Sequence, residues 1–139
     1  MPNPALGDGG LHHVAIKTRD WDRTMDFYQG LLGCAVKIAW GQAPKRAVML
    51  DTGGGSYVEV FEDASHQPGP NPAWLHFALR TTKLDEVTER CRSWGAKITL
   101  EPKDVPIATT NIPGPVPVRI SFCEGPNGEL IEFFQNSAT

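Results

Sequence analysis

The sequence predicts an α+β protein made of two tandem βαβββ modules, and three observations carry that prediction. The stretch Leu11-His12-His13-Val14-Ala15-Ile16-Lys17-Thr18 returns as Trp74-Leu75-His76-Phe77-Ala78-Leu79-Arg80-Thr81. Laying His13 on His76 also aligns Ala15 with Ala78, Lys17 with Arg80, Thr18 with Thr81 and Asp22 with Asp85. A second echo pairs Gly55-Ser56-Tyr57-Val58-Glu59-Val60-Phe61 with Gly128-Glu129-Leu130-Ile131-Glu132-Phe133-Phe134, so that Glu59 falls on Glu132. Between the two echoes, each half reads as a helical segment ended by glycine and then further strands. Each half therefore offers one histidine and one glutamate inside an otherwise apolar strand.

Residues 1–10 are rich in Gly and Pro and lack periodicity, which predicts a flexible arm. The single domain is expected over 11–135, with module 1 at 11–62, a linker at 63–73 and module 2 at 74–135. From Leu11 to Thr18, alternation places Val14 and Ile16 on one strand face and His13, Ala15 and Lys17 on the other. Asp20 or Asp22 can cap a helix over roughly 21–32, in which Trp21, Met25, Tyr28 (or Phe27), Leu31 and Leu32 keep helical spacing and Gly33 supplies the stop. Cys34–Trp40, Arg46–Asp51 and Ser56–Phe61 read as strands. In the second module, Leu84, Val87, Cys91 and Trp94 mark a helix face that ends at Gly95. Lys97–Leu100 reads as a short strand. Residues 101–117 contain Pro102, Pro106, Pro113, Pro115 and Pro117, and are expected to be a loop of the kind that serves as a lid. Val118–Cys123 and Glu129–Gln135 close the module.

The chain has 139 residues, of which 40% are hydrophobic, enough to fill one core. Its formal net charge is −3 and its lysines and arginines do not cluster, so no footprint for nucleic acid or an anionic membrane is visible. A small-molecule substrate is the expected partner. Cys34, Cys91 and Cys123 show no metal-knuckle or disulfide spacing and are read as reduced packing residues. No apolar run approaches the roughly 20 residues needed to span a bilayer, and a cytoplasmic location is the expectation.

If the apolar face of each strand packs on its helix, then His13, Glu59, His76 and Glu132 all project from the opposite face. Imidazole and carboxylate turned inward cost free energy unless compensated, and a metal ion compensates both. Two histidines and two carboxylates suit one divalent ion per site: Ni, Co, Zn, Mn or Fe. His12, of the wrong parity, and His66, in the linker, are read as ordinary hydrogen-bonded residues. Glu62 and Glu129 are expected in solvent. Tyr57, Trp74, Phe134 and Leu130 share the face of the proposed ligands.

On these residues the sequence resembles the vicinal oxygen chelate superfamily, which includes glyoxalase I, methylmalonyl-CoA epimerase, extradiol dioxygenases and the bleomycin and fosfomycin resistance proteins. The most specific stretches are His13-Val-Ala-Ile with Asp26-Phe27-Tyr28 and Leu32-Gly33, and Gly125-Pro126-Asn127-Gly128-Glu129-Leu130-Ile131-Glu132. The resemblance implies the glyoxalase/bleomycin resistance/dihydroxybiphenyl dioxygenase-like fold. It also implies a homodimer with sites between subunits, His13 and Glu59 of one chain facing His76 and Glu132 of the other.

The His-Glu-His-Glu set looks most like glyoxalase I. By that resemblance the chain is a lyase or isomerase acting on an α-hydroxycarbonyl or hemithioacetal through an enediolate held at the metal, with Glu132 as base and Glu59 as second candidate. Lys17, Tyr57, Trp74, Arg80 and Phe134 stand as substrate contacts. The places that hold the glutathione carboxylates in glyoxalase I carry Lys17, Asp63 and Pro72 here, which argues against glutathione as co-substrate. The alternatives are an epimerase or extradiol-type dioxygenase on the same frame, and a non-enzymatic protein that sequesters a small molecule.

Overall fold

The computed structural model describes residues 2–31, 33–67, 74–124 and 130–139, with the side chains of Phe27, Leu31 and Trp74 outside that description. Its elements follow the order β1 (Leu11–Thr18), α1 (Trp21–Met25), β2 (Ala35–Trp40), β3 (Ala47–Gly53), β4 (Ser56–Glu62), β5 (Trp74–Arg80), α2 (Leu84–Trp94), β6 (Lys97–Ala108), β7 (Pro115–Glu124) and β8 (Leu130–Gln135). Contacts divide the chain into two compact units. One is His13–Leu75 with Ala108–Gly114, and the other is Met1–His12, His76–Ile107 and Pro115–Thr139.

In the first unit the strand order is β2-β3-β4-β1, with β1 parallel to β4 and the other neighbours antiparallel. Asp20 caps α1, its carboxylate accepting the N–H of Arg23 at 3.1 Å. The helix widens into a π-type turn over Asp26–Leu31 and ends where Gly33 takes a φ of 72°, a left-handed conformation that glycine adopts without strain. Trp21, Met25 and Tyr28 pack with Ile16 and Val58 on the buried cluster Val48, Leu50 and Val60. Each such aliphatic side chain removed from water contributes about 1.5–3 kcal/mol. The helix thus covers the even-numbered face of β1, β3 and β4.

The second unit repeats the plan, with order β5-β8-β7-β6 and β5 parallel to β8. α2 lays Leu84, Val87 and Cys91 against Leu79, Cys123, Ile131 and Phe133, and stops at Gly95 with a φ of 106°. Residues 2–10, expected as an arm, contain a 3-10 turn at Pro4–Leu6. Leu6 packs on the α2 cluster, and the Gly10 carbonyl accepts the N–H of Arg80 at 2.6 Å.

The proline-rich stretch departs from expectation. β6 runs twelve residues, Lys97–Ala108, through Pro102 and Pro106, and β7 begins at Pro115, so the connection is only 109–114. β6 lies at the edge of its sheet, where a residue lacking an N–H can leave the outer side of the ladder unpaired without cost. The tip is not loose either. Thr110 N–H donates to the Ala39 carbonyl at 2.7 Å, the Asn111 side chain accepts the N–H of Ala39 at 2.9 Å, and Thr109 bridges Trp40.

Candidate functional site

Each unit places one imidazole against one carboxylate, and does so by the same register. In the first, Ala15 stands opposite Glu59 in the parallel β1–β4 ladder, and His13 lies two residues earlier on the same face. In the second, Ala78 stands opposite Glu132 in the β5–β8 ladder, with His76 two residues earlier. A carboxylate opposite alanine has room to lean back along the neighbouring strand, and Ala15 and Ala78 are both fully buried. His13 Nε2 lies 3.5 Å from Glu59 Oε2, and His76 Nε2 lies 2.8 Å from Glu132 Oε2.

The surroundings are largely apolar. Met49, fully buried, shares the face of Glu59, as does Tyr57, which stands opposite His13. Phe122 stands opposite Glu132 and meets the His76 ring edge-on, with centroids 5.3 Å apart. Glu59 and Glu132 are each only 5% exposed. A carboxylate so placed needs compensation, and neutral imidazole nitrogens with anionic oxygens form a donor set that fits a borderline divalent cation. His13, Glu59 and His76 are accordingly candidate metal ligands, with Glu132 of the same chemistry.

The remaining expected contacts are placed as follows. Lys17 Nζ is 3.8 Å from Asp63 Oδ2, and both side chains are about one-third exposed. The Asp63 carboxyl is held below its ordinary value first by the Ser65 hydroxyl and then by the Ser65 N–H, with the Lys17 charge a smaller cause. Lys17, Arg46, Phe61 and Leu75 border a groove of about 560 Å³ in the first unit. Arg80 is half-buried and opposite Phe134, which is buried. The side chain of Trp74 lies outside the described residues. Leu130, expected inward, is 36% exposed at the start of β8.

One further expectation is corrected. Glu62 does not sit in solvent. Its carboxylate takes a two-point bond from Arg46, at 2.8 and 2.7 Å, and that hydrogen bonding draws its pKa from the ordinary 4.5 to about 2. Arg46 in turn lies 4.7 Å from the Trp21 ring centroid, so the pair belongs to the helix face. Glu129 lies outside the described residues. His12 is a hydrogen-bonded core histidine, as expected, with its Nε2 2.6 Å from Thr139 Oγ1. His66 is half-exposed in a turn closed on the Asp63 carbonyl. Sequence reasoning missed Met49 and Phe122. Alternation along their strands carries the signal, but only the register shows that Phe122 faces Glu132.

A family model for the Glyoxalase/Bleomycin resistance protein/Dioxygenase superfamily matches residues 10–133, and the chain belongs to that superfamily. Its members commonly form dimers and bind small molecules, and commonly use a divalent metal. Among solved structures, methylmalonyl-CoA epimerase from Mycobacterium tuberculosis is 23% identical with a TM-score of 0.74, covering 99% of this chain and 93% of that one. A hypothetical protein from Bacillus halodurans C-125 is 18% identical with a TM-score of 0.70, over 94% and 96%. A Streptomyces coelicolor methylmalonyl-CoA epimerase variant in complex with 2-nitronate-propionyl-CoA is 21% identical with a TM-score of 0.68, over 93% and 95%. At these identities the likeness is one of fold. No curated protein matched. Among the described residues, no helix is long and apolar enough to cross a membrane.

Proposed function

We propose that the chain is a metal-dependent enzyme that moves a proton on the carbon beside a carbonyl, with epimerisation of an α-substituted acyl thioester as the first reading. The observation that carries it is the duplicated register, which gives each unit one buried carboxylate beside one imidazole. Epimerisation requires that a proton leave one face of a carbon and return to the other, and two equivalent carboxylates meet that need. His13, His76, Glu59 and Glu132 would hold a divalent ion, which supplies Lewis-acid stabilisation of the negative charge that develops on the carbonyl oxygen. Glu132 takes the proton in this reading and Glu59 is its counterpart. Met49, Tyr57, Phe122 and Phe134 keep the carboxylates in apolar surroundings, which holds back bulk water. The fold likeness to methylmalonyl-CoA epimerases supports the same reading.

A second reading, a 1,2-proton shift on an α-hydroxycarbonyl or hemithioacetal, draws on the His-Glu-His-Glu set. The Lys17–Asp63 pair speaks against glutathione there, since the lysine already faces a carboxylate. The expected homodimer with shared sites belongs to the same proposal, and light scattering tests it.

The deciding experiment is elemental analysis followed by incubation of the metal-loaded protein in D2O. Methylmalonyl-CoA serves as one substrate and methylglyoxal with a thiol as the other. Deuterium entering the α-carbon of the thioester supports epimerisation, whereas conversion of the hemithioacetal supports the second reading. Neither, on a fully loaded protein, overturns both.

A further inference from the structure

We infer that His12, a buried histidine outside the proposed ligand set, is a positioning residue for the strands that carry His13 and Glu132. The inference rests on the metal reading above and extends it. His12 is 0% exposed, and alternation along β1 turns it to the face opposite His13. Its ring packs on Phe134 with centroids 4.4 Å apart and planes at 37°, and its Nε2 lies 2.6 Å from Thr139 Oγ1.

Thr139 is itself held in place. Asn136 Nδ2 donates to Thr139 Oγ1 at 2.9 Å, while Asn136 Oδ1 accepts the N–H of Ala138 at 2.6 Å and of Thr139 at 2.8 Å. With one lone pair engaged by Asn136, the hydroxyl can still donate its proton to His12 Nε2, or accept one from it and turn its own toward Asn136 Oδ1. Either way the imidazole meets a hydroxyl that Asn136 also engages.

The position in sequence gives this anchor its consequence. His12 directly precedes His13 on β1, and Phe134 follows Glu132 by two residues on the same face of β8. The chain passes from one compact unit to the other between His12 and His13. Fixing the ring of His12 in both plane and hydrogen bond therefore sets the rotation of β1 where the first proposed ligand leaves it. It also packs the β8 face from which Glu132 projects. Groups that orient a ligand without touching the metal alter affinity by about 10–100-fold when removed.

The test loads the full chain with Co2+ alone and reads its affinity, by competition with a chelating dye, together with the visible bands of the bound ion. Thr139→Val and His12→Phe are expected to weaken Co2+ about tenfold and to shift those bands. Thr139→Ser, which keeps the hydroxyl, is expected to restore both. His12→Phe keeps an aromatic ring on Phe134 and removes both ring nitrogens, Nε2 among them, so it remains informative if Thr139→Val folds poorly. Lower thermal stability with unchanged Co2+ affinity and bands would make His12 a packing residue and overturn the inference. A parent chain that takes up no Co2+ would overturn the metal reading and this inference together.

Discussion

The two units place their histidine and glutamate by one register, yet the faces turned away from those residues differ. Behind β1 and β4 the helix is five residues long, runs into a π-type turn, and shares its face with the Arg46–Glu62 pair over Trp21. Behind β5 and β8 the helix has eleven residues, and its buried polar contact is a hydroxyl pair, Thr88 with Ser121 at 2.7 Å. Register is shared because a slip of one residue would turn the glutamate to the helix side. The helix face has only to be filled, and can be filled in more than one way.

The largest expected effect tests whether the two halves are equal partners. His13→Ala and His76→Ala should each remove most of the bound metal, a greater loss than the 10–100-fold expected for an outer-shell group. Elemental analysis after dialysis reads it, and full occupancy in either variant would strike that histidine from the ligand set. Next come Glu132→Gln and Glu59→Gln, each expected to keep the fold and to lower epimerisation about 10³-fold. Solvent deuterium should still enter one epimer in each case, and undiminished turnover in either would leave a single base.

Ala78→Val and Ala15→Val come third. A branched side chain opposite the glutamate should crowd its path to the histidine and cost about 1–3 kcal/mol of stability. The effect should be larger at Ala78, where the nitrogen–oxygen distance is 2.8 rather than 3.5 Å. Equal denaturant midpoints for both variants and the parent would remove the alanines from the argument. The smallest effect lies on the helix side. Because the folded-state pKa of Glu62 is depressed from 4.5 to about 2, the stability it adds is present above 4.5 and lost as pH falls toward 2. Glu62→Gln should flatten the stability profile across that window. An unchanged slope would show that the Arg46 pair has no such linkage.

Much of this is legible in the sequence. The His-x-Ala repeat, the glycine stops at Gly33 and Gly95, and the parity of His13, Glu59, His76 and Glu132 all follow from spacing alone, since strand and helix periods differ. What spacing could not give was pairing. Pro102 and Pro106 argued for a loop because the sequence does not say which strand is an edge. Glu62 was expected in solvent because Arg46 lies on a different strand, and Trp21 beneath it on a helix. Leu130 follows the alternation of β8 but stands at its first residue and is 36% exposed. The burial of His12 was consistent with a hydrogen-bonded core residue, while its partner Thr139 lies 127 residues away.

The hairpin tip at 109–114 has a consequence for dissecting the chain. β2 is the outer strand of its sheet, and the groups it offers along that side at Lys37 and Ala39 are taken up by Thr110 and Asn111. A fragment cut in the linker after residue 67 would carry every strand of the first module but none of this cover. It would present a bare ladder, open to pairing with other chains. The two halves of the sequence are repeats, but they should not be separable: expressed alone the first should aggregate, and expressed with the second it should be rescued by complementation.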